Sequence, residues 1–166
     1  MIDWMRAVEL VSVVGAIIAA FWAYYNHYKD KEWAAYHEMD EKYREYLRMC
    51  LDLPHLDIFD IPNEKFGVEA KVELTPEQKK AEVIAFTILF SIFERAFLMY
   101  RGKSSALRKK QWNGWEDYMK GYCLRNNFID AWIISGDTFD KTFKSFMDRL
   151  VEESRRKKKA EKGVAS

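Results

Sequence analysis

The sequence has little that interrupts a helix. Proline occurs three times and glycine seven times among 166 residues, and in a chain rich in Glu, Lys and Ala this composition favours an all-α fold. The two cysteines, Cys50 and Cys123, are isolated. We expect buried reduced thiols, with a disulfide as the alternative. The formal net charge of only +1 excludes a global nucleic-acid-binding signature.

Motifs for the common chemistries are also missing. The sequence has no phosphate-binding loop, dinucleotide fingerprint, Gly-x-Ser-x-Gly elbow or paired metal cysteines. His37 and Glu41 lie one helical turn apart, but two ligands are too few for a metal site and a surface pair is the better interpretation. We therefore predict no catalytic residue, no metal and no cofactor, so that the protein is not an enzyme.

The sequence does contain one long apolar run, AVELVSVVGAIIAAFWAYY at Ala7–Tyr25. As a helix it would be about 28 Å long, close to the hydrocarbon thickness of about 30 Å. Aromatic residues of the kind found at bilayer interfaces flank both ends: Trp4, Trp22, Tyr24, Tyr25 and Tyr28. We predict that residues 1–28 form a transmembrane anchor. A cleaved signal peptide and a buried soluble helix are the alternatives, although the run ends without a small-residue cleavage site.

Basic residues are unevenly placed around this run. Arg6 precedes it, whereas four basic residues follow within about twenty positions: Lys29, Lys31, Lys42 and Arg44. By the positive-inside rule, the C-terminal domain faces the cytoplasm. The protein is then a single-pass protein of the plasma membrane with the lipid bilayer as a partner.

Small residues recur at intervals of four along the predicted anchor, and Glu9 lies one turn before them: Ser12, Gly15, Ala16, Ala19, Ala20 and Ala23. Small residues at this spacing allow helices to approach closely in lipid, and an ionisable group at a membrane edge usually faces protein or water. One interpretation is a self-association face and a homo-oligomer. The other is that Glu9 reaches the interface and the spacing is incidental.

The rest of the chain predicts a bundle of about four to five helices in residues 29–152. The first helix continues to about Met49 and ends before Leu53-Pro54, because a residue preceding proline avoids the α region. Residues 53–75 are predicted to form an irregular connector, with a short strand at Val68–Leu74 as the alternative.

A clear helix start follows at Thr75-Pro76-Glu77-Gln78, where Thr75 and Gln78 can form a capping box. This helix is predicted to run to about Tyr100. Its centre, Val83–Phe93, is apolar on all sides but too short to cross a bilayer. We interpret it as the central core helix, with a second or re-entrant membrane segment as the alternative.

Three further helices are predicted. They cover about Ser105–Leu124, Phe128–Ile134 and a last helix capped by Asp137 or Thr138. The last helix has an apolar face at helical spacing: Phe139, Phe143, Phe146, Met147, Leu150 and Val151. Residues 153–166 are predicted to be a disordered basic tail.

Glu94 is the most informative polar residue of the predicted domain. It directly follows an apolar run, so an at least partly buried carboxylate with a partner is expected. The candidate partners are Arg95, Arg101 or the indole of Trp112 or Trp115. A buried hydrogen-bond anchor is the structural interpretation, and a ligand-binding or proton-sensing group is the functional one.

One stretch, RGKSSALRKK, carries five basic residues and no acid: Arg101, Lys103, Arg108, Lys109 and Lys110. A second basic stretch lies at Arg155–Lys162. Such stretches form solvated surface, contact anionic lipid or bind nucleic acid, and nucleic acid is the least expected partner. Arg125-Asn126-Asn127 resembles the start of the HEPN-type ribonuclease motif but lacks its histidine, so nuclease activity is not expected.

A group of aromatic residues carries a family resemblance: Phe93-Glu94, the pair Trp112 and Trp115, Trp132, and Phe139 with Phe143. With them, the chain resembles an uncharacterised family of small bacterial single-pass membrane proteins that have an all-α cytoplasmic domain. The resemblance covers most of residues 40–150 and is made largely of core residues. It implies the fold and a bacterial inner-membrane location, and it implies no catalysis.

These observations favour a membrane-tethered helical interaction or scaffold module that self-associates and has no catalysis of its own; its protein partners are not specified by the sequence. A pore-forming or membrane-perturbing effector, of the kind associated with defence, is the alternative. A degenerate nucleic-acid enzyme is the third hypothesis.

Overall fold

The structure is a computed structural model that describes the chain in three stretches, residues 4–67, 73–102 and 106–164. Side chains are described for residues 12–27, 37–67, 73–102 and 108–160. Throughout the described stretches the chain forms helices and no strand, which confirms the predicted all-α class. The alternative of a short strand at Val68–Leu74 falls mainly outside the described residues.

Five α-helices and two 3₁₀ turns make up the described chain. The helices are α1 (Trp4–Asp52), α2 (Pro76–Tyr100), α3 (Ala106–Tyr122), α4 (Asn126–Ser135) and α5 (Lys141–Val164). The 3₁₀ turns are Asn63–Phe66 and Gly136–Thr138. The chain divides into two compact units, residues 1–41 and residues 42–166. The first unit is helical from Trp4 onward, and Gly15 does not interrupt it.

The second unit begins with the end of α1. The helix stops at Asp52, directly before the predicted breaker Leu53-Pro54, and the Leu53 N–H still donates to the Met49 carbonyl at 3.0 Å. Tyr46 on this part of the helix is completely buried. Met39 is buried as well, whereas Tyr43, Leu47 and Cys50 are half-buried.

Helix α2 is the centre of the second unit and contacts α3, α4 and α5. Four buried phenylalanines recur along one side of it at helical spacing: Phe86, Phe90, Phe93 and Phe97. Each ring meets aromatic rings of the other helices edge-on, for example Phe90 with Trp132 at 5.0 Å and Phe97 with Trp112 at 5.8 Å between centroids. Edge-on aromatic pairs stabilise a core beyond the effect of the apolar area that they bury, and they favour one orientation of the rings. The interpretation of α2 as the core helix is consistent with this burial.

Local sequence signals set the start of α2 as expected. The Thr75 hydroxyl accepts from the Gln78 N–H at 3.3 Å, and the Gln78 side chain accepts from the Thr75 N–H at 2.9 Å. The two bonds complete the predicted capping box and satisfy N–H groups that have no partner within the helix. The helix ends at Tyr100, where Gly102 adopts a positive φ of 72° that favours glycine.

The start of α5 differs from the prediction. Neither Asp137 nor Thr138 caps it, because both lie in the 3₁₀ turn. The cap is Asp140, whose carboxylate accepts from the Thr142 N–H at 2.8 Å and the Phe143 N–H at 3.1 Å. Gly136, before this cap, must lack a side chain, because a Cβ atom there would lie 2.9 Å from the Trp132 ring.

The C-terminal segment is also different from the prediction. Residues 153–166 were expected to be disordered, but α5 is helical to Val164. Five residues of the predicted apolar face are buried, and Phe139 lies before the helix and is half-buried. The five are Phe143, Phe146, Met147, Leu150 and Val151. Ser154 extends this contact, because its buried hydroxyl donates to the Cys123 carbonyl at 2.6 Å.

Candidate functional site

The first candidate site is the exposed apolar part of α1. Every described side chain from residue 12 to residue 27 is exposed. The large apolar ones among them are between 43% and 71% exposed: Val13, Val14, Ile17, Ile18, Phe21, Trp22, Tyr24 and Tyr25. An exposed apolar surface of this extent marks a candidate interaction surface for a protein or a membrane.

This part of α1 has two different halves. With about 100° per residue, the large apolar side chains all fall on one half of the circumference. The other half holds the small residues of the predicted self-association face, followed by Asn26 and His27: Ser12, Gly15, Ala16, Ala19, Ala20 and Ala23. A Cβ atom added at Gly15 would meet nothing within 4 Å. The side chain of Glu9, which the sequence placed at this face, lies outside the described residues.

Helix α2 is also apolar but, unlike residues 12–27 of α1, it is partly covered by the protein. It is the one helix within the described residues that is long and apolar enough to cross a bilayer, with a mean hydropathy of 1.7. Half of that apolar window is buried inside the protein, as is usual for the core helix of a domain. The predicted anchor at Ala7–Tyr25 begins among side chains that are not described.

Glu94 is partly buried, as predicted, and the partner that the structure shows for it is a backbone group. It is half-buried, and its Oε1 accepts the Asp140 N–H at 2.7 Å. The carboxylate therefore stabilises the beginning of α5, where the helix dipole is positive. Trp112 and Trp115, its predicted indole partners, instead pack against Phe97 at 5.8 Å and Phe93 at 6.2 Å.

Arg125 is a buried charged residue of the domain, with a side chain that is only 8% exposed. Its guanidinium donates to the carbonyls of Asp57 and Phe59 and forms an ion pair with the Asp57 carboxylate at 2.8 Å. Asn127 also donates to the Asp57 carbonyl, at 2.9 Å, and to the Glu82 carboxylate at 2.8 Å. These bonds join α4 to the connector between α1 and α2.

Two tyrosines complete this arrangement, since the hydroxyls of Tyr46 and Tyr122 both donate to the Ile58 carbonyl, at 2.6 and 3.1 Å. We call these four donors, Tyr46, Tyr122, Arg125 and Asn127, the polar clamp. A connector placed in the interior must satisfy its carbonyl groups, and the clamp does this for three successive residues. It is therefore a structural site that holds the irregular segment against three helices.

The clamp explains the Arg125-Asn126-Asn127 motif. Its arginine resembled a ribonuclease residue in the sequence, but the guanidinium is buried and engaged by connector carbonyls. The sequence signal that could have revealed this role is an arginine between two helices in an otherwise apolar environment. The partner carbonyls could not be read from the sequence.

The phenols and thiols in and around the clamp are held in their neutral forms. Burial raises the pKa of Tyr46, Tyr118 and Tyr122 above the ordinary range. Burial also raises the pKa of the Cys50 thiol to about 11 and that of the Cys123 thiol to about 12. Both cysteines are free thiols and are protonated near neutral pH, so neither is an activated nucleophile.

The predicted basic surface is only partly described. Arg101, Lys109 and Lys110 are exposed and Arg108 is half-buried, whereas Lys103 lies outside the described residues. The Arg101 guanidinium lies over the rings of Phe97 and Phe146. Within the described stretches, no three His, Cys, Asp or Glu side chains lie close enough together to hold a metal ion.

No protein family, no curated protein and no solved structure matches the chain. The resemblance to small bacterial membrane proteins therefore stays a prediction. Its motifs have a structural role in this chain. Phe93 and Trp132 are buried core residues, half-buried Trp115 packs on Phe93, and Trp132 packs on Phe90.

Proposed function

We propose that the chain is a membrane-tethered helical interaction module, held in a bacterial plasma membrane by residues 7–25 with its C-terminal domain in the cytoplasm. The observation that supports this best is the continuous exposure of residues 12–27. A bilayer covers the exposed apolar side chains of such a helix, and the helix satisfies its own backbone groups there.

The two halves of this helix support self-association. The half with large side chains offers a surface for lipid, and the half with small side chains permits close approach of a second copy. The polar Asn26 and His27 follow on the same half. In this proposal the cytoplasmic domain has no catalysis of its own and is brought together by association of the anchors.

The mass of the full chain in detergent tests the proposal. The wild-type protein is expected to be an oligomer, and Gly15→Leu with Ala19→Leu is expected to be a monomer because the small-residue half becomes bulky. Leucine favours helix over glycine by about 0.8 kcal/mol, so loss of the helix would not explain the result. Val14→Leu with Ile18→Leu adds bulk or changes shape on the other half and should remain oligomeric. A wild-type monomer would refute self-association.

An oligomeric pore or membrane-perturbing effector is the second candidate. The division of residues 12–27 into a large apolar half and a small half ending in Asn26 and His27 also suits a ring of helices around a lumen. Release of a dye from liposomes that contain the purified chain distinguishes the two. A ring-sized mass with dye release supports the pore, and tight liposomes exclude it.

A further inference from the structure

Three helices of the second unit bring exposed cations to one aromatic cluster. The rings of Phe97, Trp112 and Phe146 contact each other, with centroid distances between 5.3 and 5.8 Å. Phe97 and Phe146 are buried, and Trp112 is half-exposed. The cluster therefore presents one indole to the surface.

Two guanidinium groups converge on this cluster. The Arg101 Cζ atom lies 4.7 Å from the Phe97 centroid and 4.9 Å from the Phe146 centroid, and the Arg149 Cζ atom lies 5.6 Å from the Phe146 centroid. Within the described residues, neither arginine forms an ion pair with a carboxylate. Their contacts with the rings fix two positive charges near each other.

The nearby charges leave this surface positive. Lys109 is exposed one turn before Trp112 on α3, and residues three apart lie on the same face of a helix. Glu116 follows Trp112 by one turn, but its carboxylate is paired with Lys120 at 2.8 Å. Glu153 is the acid one turn after Arg149 on α5. The surface therefore has three cations. Glu153 is the one neighbouring carboxylate that lacks an ion pair in the described part of the chain.

We propose that this basic–aromatic patch, Arg101, Lys109, Trp112 and Arg149, docks on the headgroups of an anionic bilayer. An indole beside arginines is the composition that favours the headgroup layer, and each basic residue near an anionic leaflet contributes about 1 kcal/mol. The inference rests on the proposed tethering, because an anchor keeps the domain at a high effective concentration near lipid. A nucleic acid would use the same charges, but the chain carries a net charge of only +1.

The test uses the full chain in liposomes of phosphatidylcholine with or without phosphatidylglycerol. Hydrogen exchange is measured at the first turn of α3, whose N–H groups have no partner within the helix. We expect exchange there to be at least about threefold slower with the anionic lipid. The protection should disappear at about 1 M salt, where the Debye length is about 3 Å.

Two double variants distinguish binding by the patch from a nonspecific effect of positive charge. Arg101→Ala with Arg149→Ala should lose the protection. Arg155→Ala with Lys159→Ala removes two exposed cations from the end of α5 and should keep it. Equal exchange in both lipids, or equal loss in the two variants, would overturn the proposal. So would stronger protection by a single-stranded oligonucleotide than by anionic vesicles at equal phosphate.

A separate measurement tests the anchor on which the proposal rests. The chain should float with neutral phosphatidylcholine liposomes after a carbonate wash, because that retention depends on residues 7–25 and not on lipid charge. If it does not float, the tethering is wrong. Hydrogen exchange of the purified chain mixed with anionic vesicles then tests the patch independently. If the first turn of α3 is not protected there, the patch proposal is refuted.

Discussion

The chain contains two apolar helical segments that differ in what covers them. The centre of α2, Val83–Phe93, lies among other helices and has its phenylalanines completely buried. Residues 12–27 of α1 have comparable apolar side chains, but every one is exposed. Apolar composition alone thus does not separate a buried core helix from an exposed apolar helix.

Sequence context supplies the difference. The apolar run of α2 is bounded at once by Glu94-Arg95, and its aromatic residues follow one stripe that matches rings on three other helices. The run in α1 is longer, has no formal charge from Leu10 to Tyr25, and ends in interfacial aromatics. A core helix has a specific protein surface to meet, whereas a membrane helix needs only length and apolarity.

The largest expected effect comes from removing one ring of each segment. Phe90→Ala should lower the free energy of unfolding of the second unit by about 3–5 kcal/mol, because it leaves a cavity in the core. Phe21→Ala removes a ring that is 69% exposed, and it should change the same free energy of unfolding by less than about 0.5 kcal/mol. Denaturant unfolding of the full chain in detergent, followed by tryptophan fluorescence, measures both. Equal effects would remove the distinction between the segments.

Arg125→Met is expected to have the next largest effect. It removes the ion pair of the Asp57 carboxylate and the donor to the Phe59 carbonyl, while the Asp57 carbonyl keeps its bond from Asn127. Breaking a buried pair costs about 3 kcal/mol or more. The same denaturant experiment measures the loss. The matched control is Arg155→Met on α5, where the side chain is exposed and stability should hardly change. A small effect at Arg125 would mean that the connector is not held by the clamp.

A charge in the exposed segment should act on membrane insertion instead of stability. Ile17→Arg should disfavour insertion by about 2.5–3.5 kcal/mol, the cost of arginine at the centre of a membrane helix. The fraction of protein that remains with membranes after carbonate extraction reports it. Ile84→Arg places the same charge on the exposed side of α2, where Ile84 is 51% exposed, and should leave the membrane fraction unchanged. Loss of that fraction in the Ile84 variant would point to α2 as the membrane segment.

Local signals in the sequence were sufficient for most of the fold. The helix at Pro76, the break at Pro54 and the inward face of α5 each depend on residues within a few turns, and the structure confirms them. The partner of Glu94 is 46 residues away and those of Arg125 are 66 and 68 residues away. Such partners are backbone groups whose position follows from the packing of several helices. A single sequence therefore identifies that a polar residue needs a partner without showing which one.

The smallest expected effect concerns Glu82, at the half-buried edge of α2 next to the clamp. Burial raises its pKa, and the hydrogen bond from Asn127 opposes this only in part. The folded state therefore binds more protons than the unfolded state above the ordinary glutamate range of about 4.3, so this carboxyl destabilises the fold as the pH rises through that window. Glu82→Gln should remove this slope and stabilise the protein at neutral pH. The gain should be below about 1 kcal/mol, because solvent screens a half-exposed group.

The control for this pH dependence is Asp140→Asn. Hydrogen bonds from Thr142 and Phe143 lower the pKa of Asp140, so its contribution is present above the ordinary aspartate range and is lost as the pH falls. The two variants should therefore change the slope of stability against pH in opposite directions in denaturant titrations between about pH 3 and 7. Residues 12–27 contain no carboxylate. A slope unchanged by Glu82→Gln would show that this edge of α2 is as accessible to water as the exposed face of α1.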